Sequence, residues 1–199
     1  QSDTVEGGQS ITVGTEYNLY NNDLDKKYFS ANLATAFRDI QNKNLPINST
    51  LGDKNSDIFG GVNFSGNKFI NIDYEFALDN DLQTINFNQI ESTLSFYNFV
   101  SKFDFLEKKG IFSESYIAND TKLTINQNSS IKFRTRKNKE KNLTEYYNLL
   151  YEYQNDCLIA GIEFKKDYYS DNSLKPEELL FFSITIMPFT KINTPGINQ

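Results

Sequence analysis

The sequence predicts an all-β chain, an antiparallel, up-and-down fragment of a transmembrane β-barrel with about eleven strands. Three observations predict it. Apolar and polar residues alternate with period two along nearly the whole chain, and helical spacing is almost absent. The alternating runs are about nine to twelve residues long, which suits a tilted membrane strand better than a strand of a soluble sandwich. Short and long polar connections roughly alternate, as they do where periplasmic turns and external loops lie at opposite ends of a barrel. The strands fill roughly residues 9–189 and leave 190–199 as a tail, so the whole chain 1–199 reads as one portion of a barrel domain. Eleven strands alone would form an open, curved sheet, because closure links strand number to tilt and stagger.

The elements follow in order. In "ITVGTEYNLY", Ile11, Val13, Tyr17 and Leu19 share a face, with Glu16 and Asn18 opposite. Phe29, Ala31, Leu33 and Phe37 share a face of the second strand, and Ile58, Gly60, Val62 and Phe64 a face of the third. The clearest alternation is "KFINIDYEFAL", with Ile70, Ile72, Tyr74, Phe76 and Leu78 on one side and Asn71, Asp73 and Glu75 on the other. Such a strand needs an apolar medium on one side only. Ile85 and Phe87 agree in parity, whereas Ile90, Leu94 and Phe96 switch it, which predicts a bulge near Asn88. Phe99, Phe103 and Phe105 come next, then Leu123 and Ile125, then Ile131 and Phe133. Tyr147, Leu149, Tyr151 and Tyr153 follow, then Leu158, Ala160, Ile162 and Phe164, and last Leu180, Phe182, Ile184 and Ile186.

Among the connections, "SGNK", "FYN", "NQNS" and "QNDC" are short. "RDIQNKNLPINSTLGDKNS", "EKKGIFSES", "RKNKEKN" and "YYSDNSLKPEE" are long. Two fit less well: "NNDLDKK" is long for the short side, and "DND" is short for the long side. Tyr20, Tyr28, Tyr153, Tyr168 and Tyr169 stand near strand ends, where membrane interfaces enrich tyrosine, although β-rich chains carry tyrosine in any case. A soluble β-sandwich or a lipocalin-like barrel would alternate as well.

Composition narrows the chemistry. The net charge of −6 argues against a general nucleic-acid binder. With no histidine, the usual general base and metal ligand are missing. One cysteine excludes an internal disulfide and a thiolate zinc site. No stretch of about 18 apolar residues is present, so no membrane helix is expected, while a barrel can hide inside a polar average. The chain opens at Gln1 without an initiator methionine, a basic n-region or an apolar h-region, and it reads as a mature product or a fragment.

Asp73, Glu75, Asp104, Glu152 and Glu163 fall on the polar faces. A catalytic pair among them is conceivable, but a polar barrel lumen explains them more cheaply. Neither a nucleophile–base pair nor a metal cluster is visible, so the chain reads as no enzyme and calls for no cofactor. Opposite them, Ile70, Ile72, Tyr74, Phe76, Leu149, Tyr151, Ile162 and Phe164 are the expected lipid-facing residues. The basic run "KFRTRKNKEK" (Lys132 to Lys141) is a candidate phosphate-binding patch or, on an outer surface, a contact for anionic lipid head groups; it has no interleaved aromatic platform for bases, and reads first as a solvated strand end and loop. Pro188 cannot donate a ladder bond, which fits either a fraying end or a seam that must open. Cys157, in a short turn, suits a partner outside this chain in an oxidising periplasm, or is a small half-buried thiol without a role.

Three blocks carry a family resemblance. "DTVEGGQSITVGTEYNLY" resembles an Arg-x-Glu-Gly-Gly segment leading into a strand. "KNSDIFGGVNFSGNKFINIDYEFALDND" repeats a Ser-Asp-Ile, strand, tight turn and strand. "LLYEYQNDCLIAGIEFKKDYYSDNSLKPEELLFFSITI" matches a cysteine turn, a strand, a proline-bearing loop and the closing strand. Together, over about Asp3 to Phe189, they resemble the C-terminal part of the barrel of the LptD family of lipopolysaccharide-assembly proteins. Many members carry two adjacent cysteines where this sequence has Asp156-Cys157-Leu158. Outer-membrane proteins also often end on an aromatic residue, whereas here "TKINTPGINQ" follows Phe189.

The resemblance implies the last eleven or so strands of a barrel of about twenty-six in the outer membrane of a Gram-negative bacterium. It implies insertion of lipopolysaccharide into the outer leaflet, with no covalent chemistry. The partners it implies are a plug lipoprotein of LptE type inside the barrel, and a periplasmic bridge of LptA type reached through an N-terminal domain. It pairs Cys157 by a disulfide with that domain. It makes Leu179 to Phe189 one side of a lateral gate, with Leu180, Phe182, Ile184 and Ile186 along it and Pro188 weakening its pairing. A porin-like channel of the outer membrane and a soluble β-rich binding module are the alternatives. No nucleic-acid partner is expected.

Overall fold

A computed structural model describes residues 8–21, 26–45, 50–66, 68–110, 113–169, 175–186, 190–193 and 197–198. The fold is all-β, with antiparallel strands in up-and-down order. The strands are β1 Ser10–Asn21, β2 Lys26–Arg38, β3 Ile58–Gly66, β4 Ile70–Leu78, β5 Ile85–Phe96, β6 Phe99–Lys108, β7 Glu114–Thr124, β8 Ser129–Asn138, β9 Leu143–Gln154, β10 Leu158–Asp167 and β11 Glu177–Ile186. Each of these eleven is hydrogen-bonded to its chain neighbours. Lengths run from nine residues in β3 to thirteen in β2. At about 3.3 Å per residue and a tilt near 40°, a strand of ten to twelve residues crosses about 25–30 Å, the height of an outer-membrane apolar band.

The chain divides into two units, residues 1–92 with 105–114, and residues 93–104 with 115–199. In the first, β1, β2, β3 and β4 keep the predicted parity in register. Leu19 stands opposite Phe29, Phe29 opposite Phe64, and Phe64 opposite Ile72. Every rung therefore keeps apolar side chains on one face, because a slip of one residue would invert the whole strand. Among the described residues β1 has one ladder partner, β2. Along β5 the exposed apolar positions move from odd Ile85 to even Leu94 and Phe96, in keeping with the parity switch.

Residues 39–45 and 50–57 are folded back on the strands of the same unit. Ser56 has no exposed surface; its hydroxyl accepts from the Ala36 N–H at 2.8 Å and donates to the Asp57 carbonyl at 2.9 Å. The Arg38 guanidinium donates to the Leu51 carbonyl at 2.6 Å. Asn86 donates to the Asp57 carboxylate at 2.9 Å. The 3₁₀ turn Thr50–Gly52 lies inside this clasp.

In the second unit the same logic runs through β7 to β11. Leu123 pairs with Ile131, Ile131 with Tyr151, Tyr151 with Ile162, and Ile162 with Phe182. Ladder irregularities fall at Leu19/Tyr20 and at Arg136/Lys137.

Strand ends revise several connections. "RKNKEKN" shrinks to the tight turn 139–142, because β8 continues to Asn138 and β9 starts at Leu143. Asn142, at φ 48°, closes that turn. The two earlier misfits narrow and widen to 22–25 between β1 and β2 and 79–84 between β4 and β5, but 139–142 is now short where the alternation expects a long connection. The expected tail also carries structure. β12 (Thr190–Asn193) pairs with Ser183–Ile186 of β11, and β13 (Ile197–Asn198) pairs with Leu179 and Leu180. Pro188 and Phe189 lie outside the described residues.

Candidate functional site: an exposed apolar face and a crowded polar face

The burial pattern is inverted relative to a soluble protein. Among the described residues the buried apolar side chains are Ala36 and Ala77, while Ser30, Ser56, Asp57, Ser130 and Asn148 are buried polar ones. In the second unit Leu149 and Ile162 are each 46% exposed, whereas their polar-face neighbour Asn148 is 4% exposed. Of the expected lipid-facing residues, Ile70, Ile72, Leu149, Tyr151, Ile162 and Phe164 are exposed, and Tyr74 and Phe76 are half-buried. Exposed apolar area contiguous over several strands calls for a covering medium or partner.

Aromatic residues stand at both ends of this face. In the second unit the two-residue turn 97–98 lifts Tyr97 to 91% exposure at φ 49°, with its ring edge-on to Phe96 at 4.6 Å. Tyr153 is exposed at the neighbouring turn end of β9. At the opposite strand end, Tyr147 packs edge-on to Tyr168 at 5.9 Å and lies over Phe133 at 6.3 Å. Tyr169 donates to Glu177 at 2.7 Å, and that carboxylate holds the phenol's pKa above its ordinary value. Tyr20 and Tyr28, exposed in the first unit, complete the expected set. Paired aromatic girdles flank the apolar band of outer-membrane strands.

The apolar face of the first unit carries a shallow groove of about 280 Å³ among Tyr17, Ala31, Leu33, Val62 and Phe76. Small residues at Ala31 and Gly61 leave the space that larger neighbours frame.

The expected lumen-facing carboxylates all sit on the polar face but form no single cluster. Asp73 is bonded to Asn63 in the first unit and takes Asn71 at 3.3 Å, and Glu75 is exposed nearby. In the second unit Asp104 accepts from the Tyr116 hydroxyl at 2.9 Å. The Arg136 guanidinium lies 4.0 Å from the Tyr116 ring centre and pairs with Glu145 at 3.0 Å. Glu152 meets Lys132 at 3.4 Å, and Glu163 meets Arg134 at 3.4 Å while also accepting from Asn148. These are structural ion pairs, partly exposed and each worth little alone.

The basic run is not merely a solvated end. Lys132 and Arg134 point to the polar face beside Lys102 and Lys122, around a cavity of about 410 Å³. Sequence spacing could not show this, because Lys102 and Lys122 lie on other strands. Among the described residues, no group of three or more His, Cys, Asp or Glu is placed to hold a metal ion. Nor is any helix there long and apolar enough to cross a membrane, which says nothing of crossing by strands.

Cys157 is an exposed free thiol. Its turn is held by Asn155, whose side-chain oxygen accepts from the N–H groups of Cys157 at 3.0 Å and Leu158 at 2.8 Å. Of the expected gate residues, Phe182, Ile184 and Ile186 are exposed on the apolar face and Leu180 is half-buried. The far edge of β11 is not bare, since β12 and β13 occupy it.

Fold and surface define a β-strand protein with one face suited to an apolar medium and the other to water. No family model matches the sequence, and no curated protein does.

Proposed function

We propose that the chain is part of an outer-membrane β-barrel that inserts lipopolysaccharide into the outer leaflet. The observation that carries the membrane half of this reading is the inverted burial: large aliphatic and aromatic side chains exposed in register, with small and polar ones packed on the other face. Aromatic pairs at both strand ends support it. The cargo rests on the resemblance of the three sequence blocks. In the mechanism, the polar face passes the sugar head while acyl chains stay in the apolar medium. The seam at β11 opens sideways, which requires that β12 and β13 leave its edge when a neighbouring strand of the barrel pairs there. The plug lipoprotein and the periplasmic bridge are partners in the same reading.

Fractionation of the producing cell with an antibody to this chain, followed by depletion of the protein, tests both halves. Recovery with the outer membrane and loss of surface lipopolysaccharide on depletion is the expected result. Recovery there with normal surface lipopolysaccharide would point to a porin-like channel. Release without detergent would point to a soluble module.

A further inference from the structure

We infer that the polar face of β6 to β9 holds a binding site for a phosphate-bearing saccharide. This deepens the proposed function and rests on it in taking a glycolipid head as the ligand.

The site is built by strand register. Lys122 on β7 stands directly opposite Lys132 on β8. Like charges on opposed positions repel, and a sheet ordinarily avoids them. One rung on, Asp120 faces Arg134, so the neighbouring position is complementary and the lysine pair is not. Lys102 of β6 joins them around one cavity of about 410 Å³, within the range of small-ligand sites.

Two of these four cations are already paired: Lys132 with Glu152 and Arg134 with Glu163, each at 3.4 Å. Glu163 is shared with the buried amide of Asn148. Among the described residues, Lys102 and Lys122 have no carboxylate within ion-pair distance. Asp120 lines the cavity as well, which favours a ligand that offers hydroxyl donors beside its anionic group.

The rest of the lining narrows the choice of anion. Val100 and Leu150 are the apolar members. They suit the C–H face of a sugar ring. No aromatic ring lines the cavity, so nucleobases find no stacking platform. An ammonium is a point charge without directional fork, and several together suit the oxygens of a phosphate.

The test uses the full-length protein in detergent, titrated with a bis-phosphorylated glucosamine disaccharide, its dephosphorylated form and inorganic pyrophosphate. The phosphorylated sugar should bind at least about tenfold tighter than the dephosphorylated one, and K122Q/K132Q should remove about tenfold of that affinity. K141Q, which removes one positive charge from the turn 139–142, should leave it within about twofold. Heat-dependent gel mobility checks that each variant folds. Should the double variant not fold, the wild type decides: its affinity must fall between about 50 and about 300 mM salt. Equal binding of both sugars, equal loss in K141Q, salt-independent binding, or pyrophosphate bound with the disaccharide refused would each overturn the proposal. Failure of the transport reading is seen in the fractionation and depletion experiment, which these titrations do not enter.

Discussion

The Phe76 ring lies across the bare Cα of Gly60, its register partner on the neighbouring strand. A Cβ on Gly60 would fall closer to the ring than real Cβ atoms come, and 2.9 Å from Leu33 Cδ2. The aromatic covers a glycine that would otherwise weaken the strand, a pairing that also pins register. Gly60→Val should therefore lower stability by about 1–3 kcal/mol through overpacking. Gly60→Ala should cost less than half as much in a Phe76→Leu background, where the ring is gone. Urea unfolding of the detergent-solubilised protein measures both. Equal costs in the two backgrounds would mean that the ring is not what the side chain meets.

The strands were legible in the sequence because one face of each was written in large apolar residues. "KFINIDYEFAL" gives its own register, and β4 pairs Ile72 with Phe64 as the parity demands. What the sequence hid was set by neighbours. Lys137 and Asn138 look like loop residues, yet they continue β8 because strand ends outside an apolar band tolerate charge. Lys102 and Lys122 are ordinary alternation residues until β6, β7 and β8 align. The tail strands are too short and too polar to announce themselves, since their pairing is decided by an available edge on β11.

The clasp in residues 39–45 and 50–57 was equally hidden, since serine and aspartate in a polar loop carry no periodic signal. Ser56 satisfies the Ala36 N–H where no water reaches it. Ser56→Ala should cost about 1–3 kcal/mol, the penalty of a buried donor left without an acceptor. It should also open the clasp at 50–57 to protease before the strands are cut. Unchanged unfolding midpoint and unchanged cleavage order would show that the clasp contributes nothing to the fold.

Ile162 and Leu150 separate the membrane reading from a soluble one. They lie on opposite faces of adjoining strands, Ile162 between Tyr151 and Phe182, Leu150 between Lys132 and Glu163. In a bilayer Ile162→Arg should cost about 2–4 kcal/mol, the penalty of a cation in the middle of the lipid face. Leu150→Arg, placed among opposed charges on the polar face, should stay within about 1 kcal/mol. Folding titrations into lipid vesicles read the difference. A harmless Ile162→Arg together with a damaging Leu150→Arg would reverse the assignment of faces.

Cys157 lends itself to a substitution that separates structure from pairing. The Asn155 side chain, not the sulfur, fixes the turn by taking two N–H groups. Cys157→Ser should therefore leave stability within about 0.5 kcal/mol of wild type, whereas Asn155→Ala should lose about 1 kcal/mol with its turn. In the proposed outer-membrane setting, this exposed thiol is open to a partner elsewhere. In the outer membrane of the producing cell, the wild-type chain should change mobility when reductant is added, and Cys157→Ser should not. Identical migration of the two without reductant would mean that the thiol stays free, and the disulfide would drop out of the proposed assembly while the barrel remained.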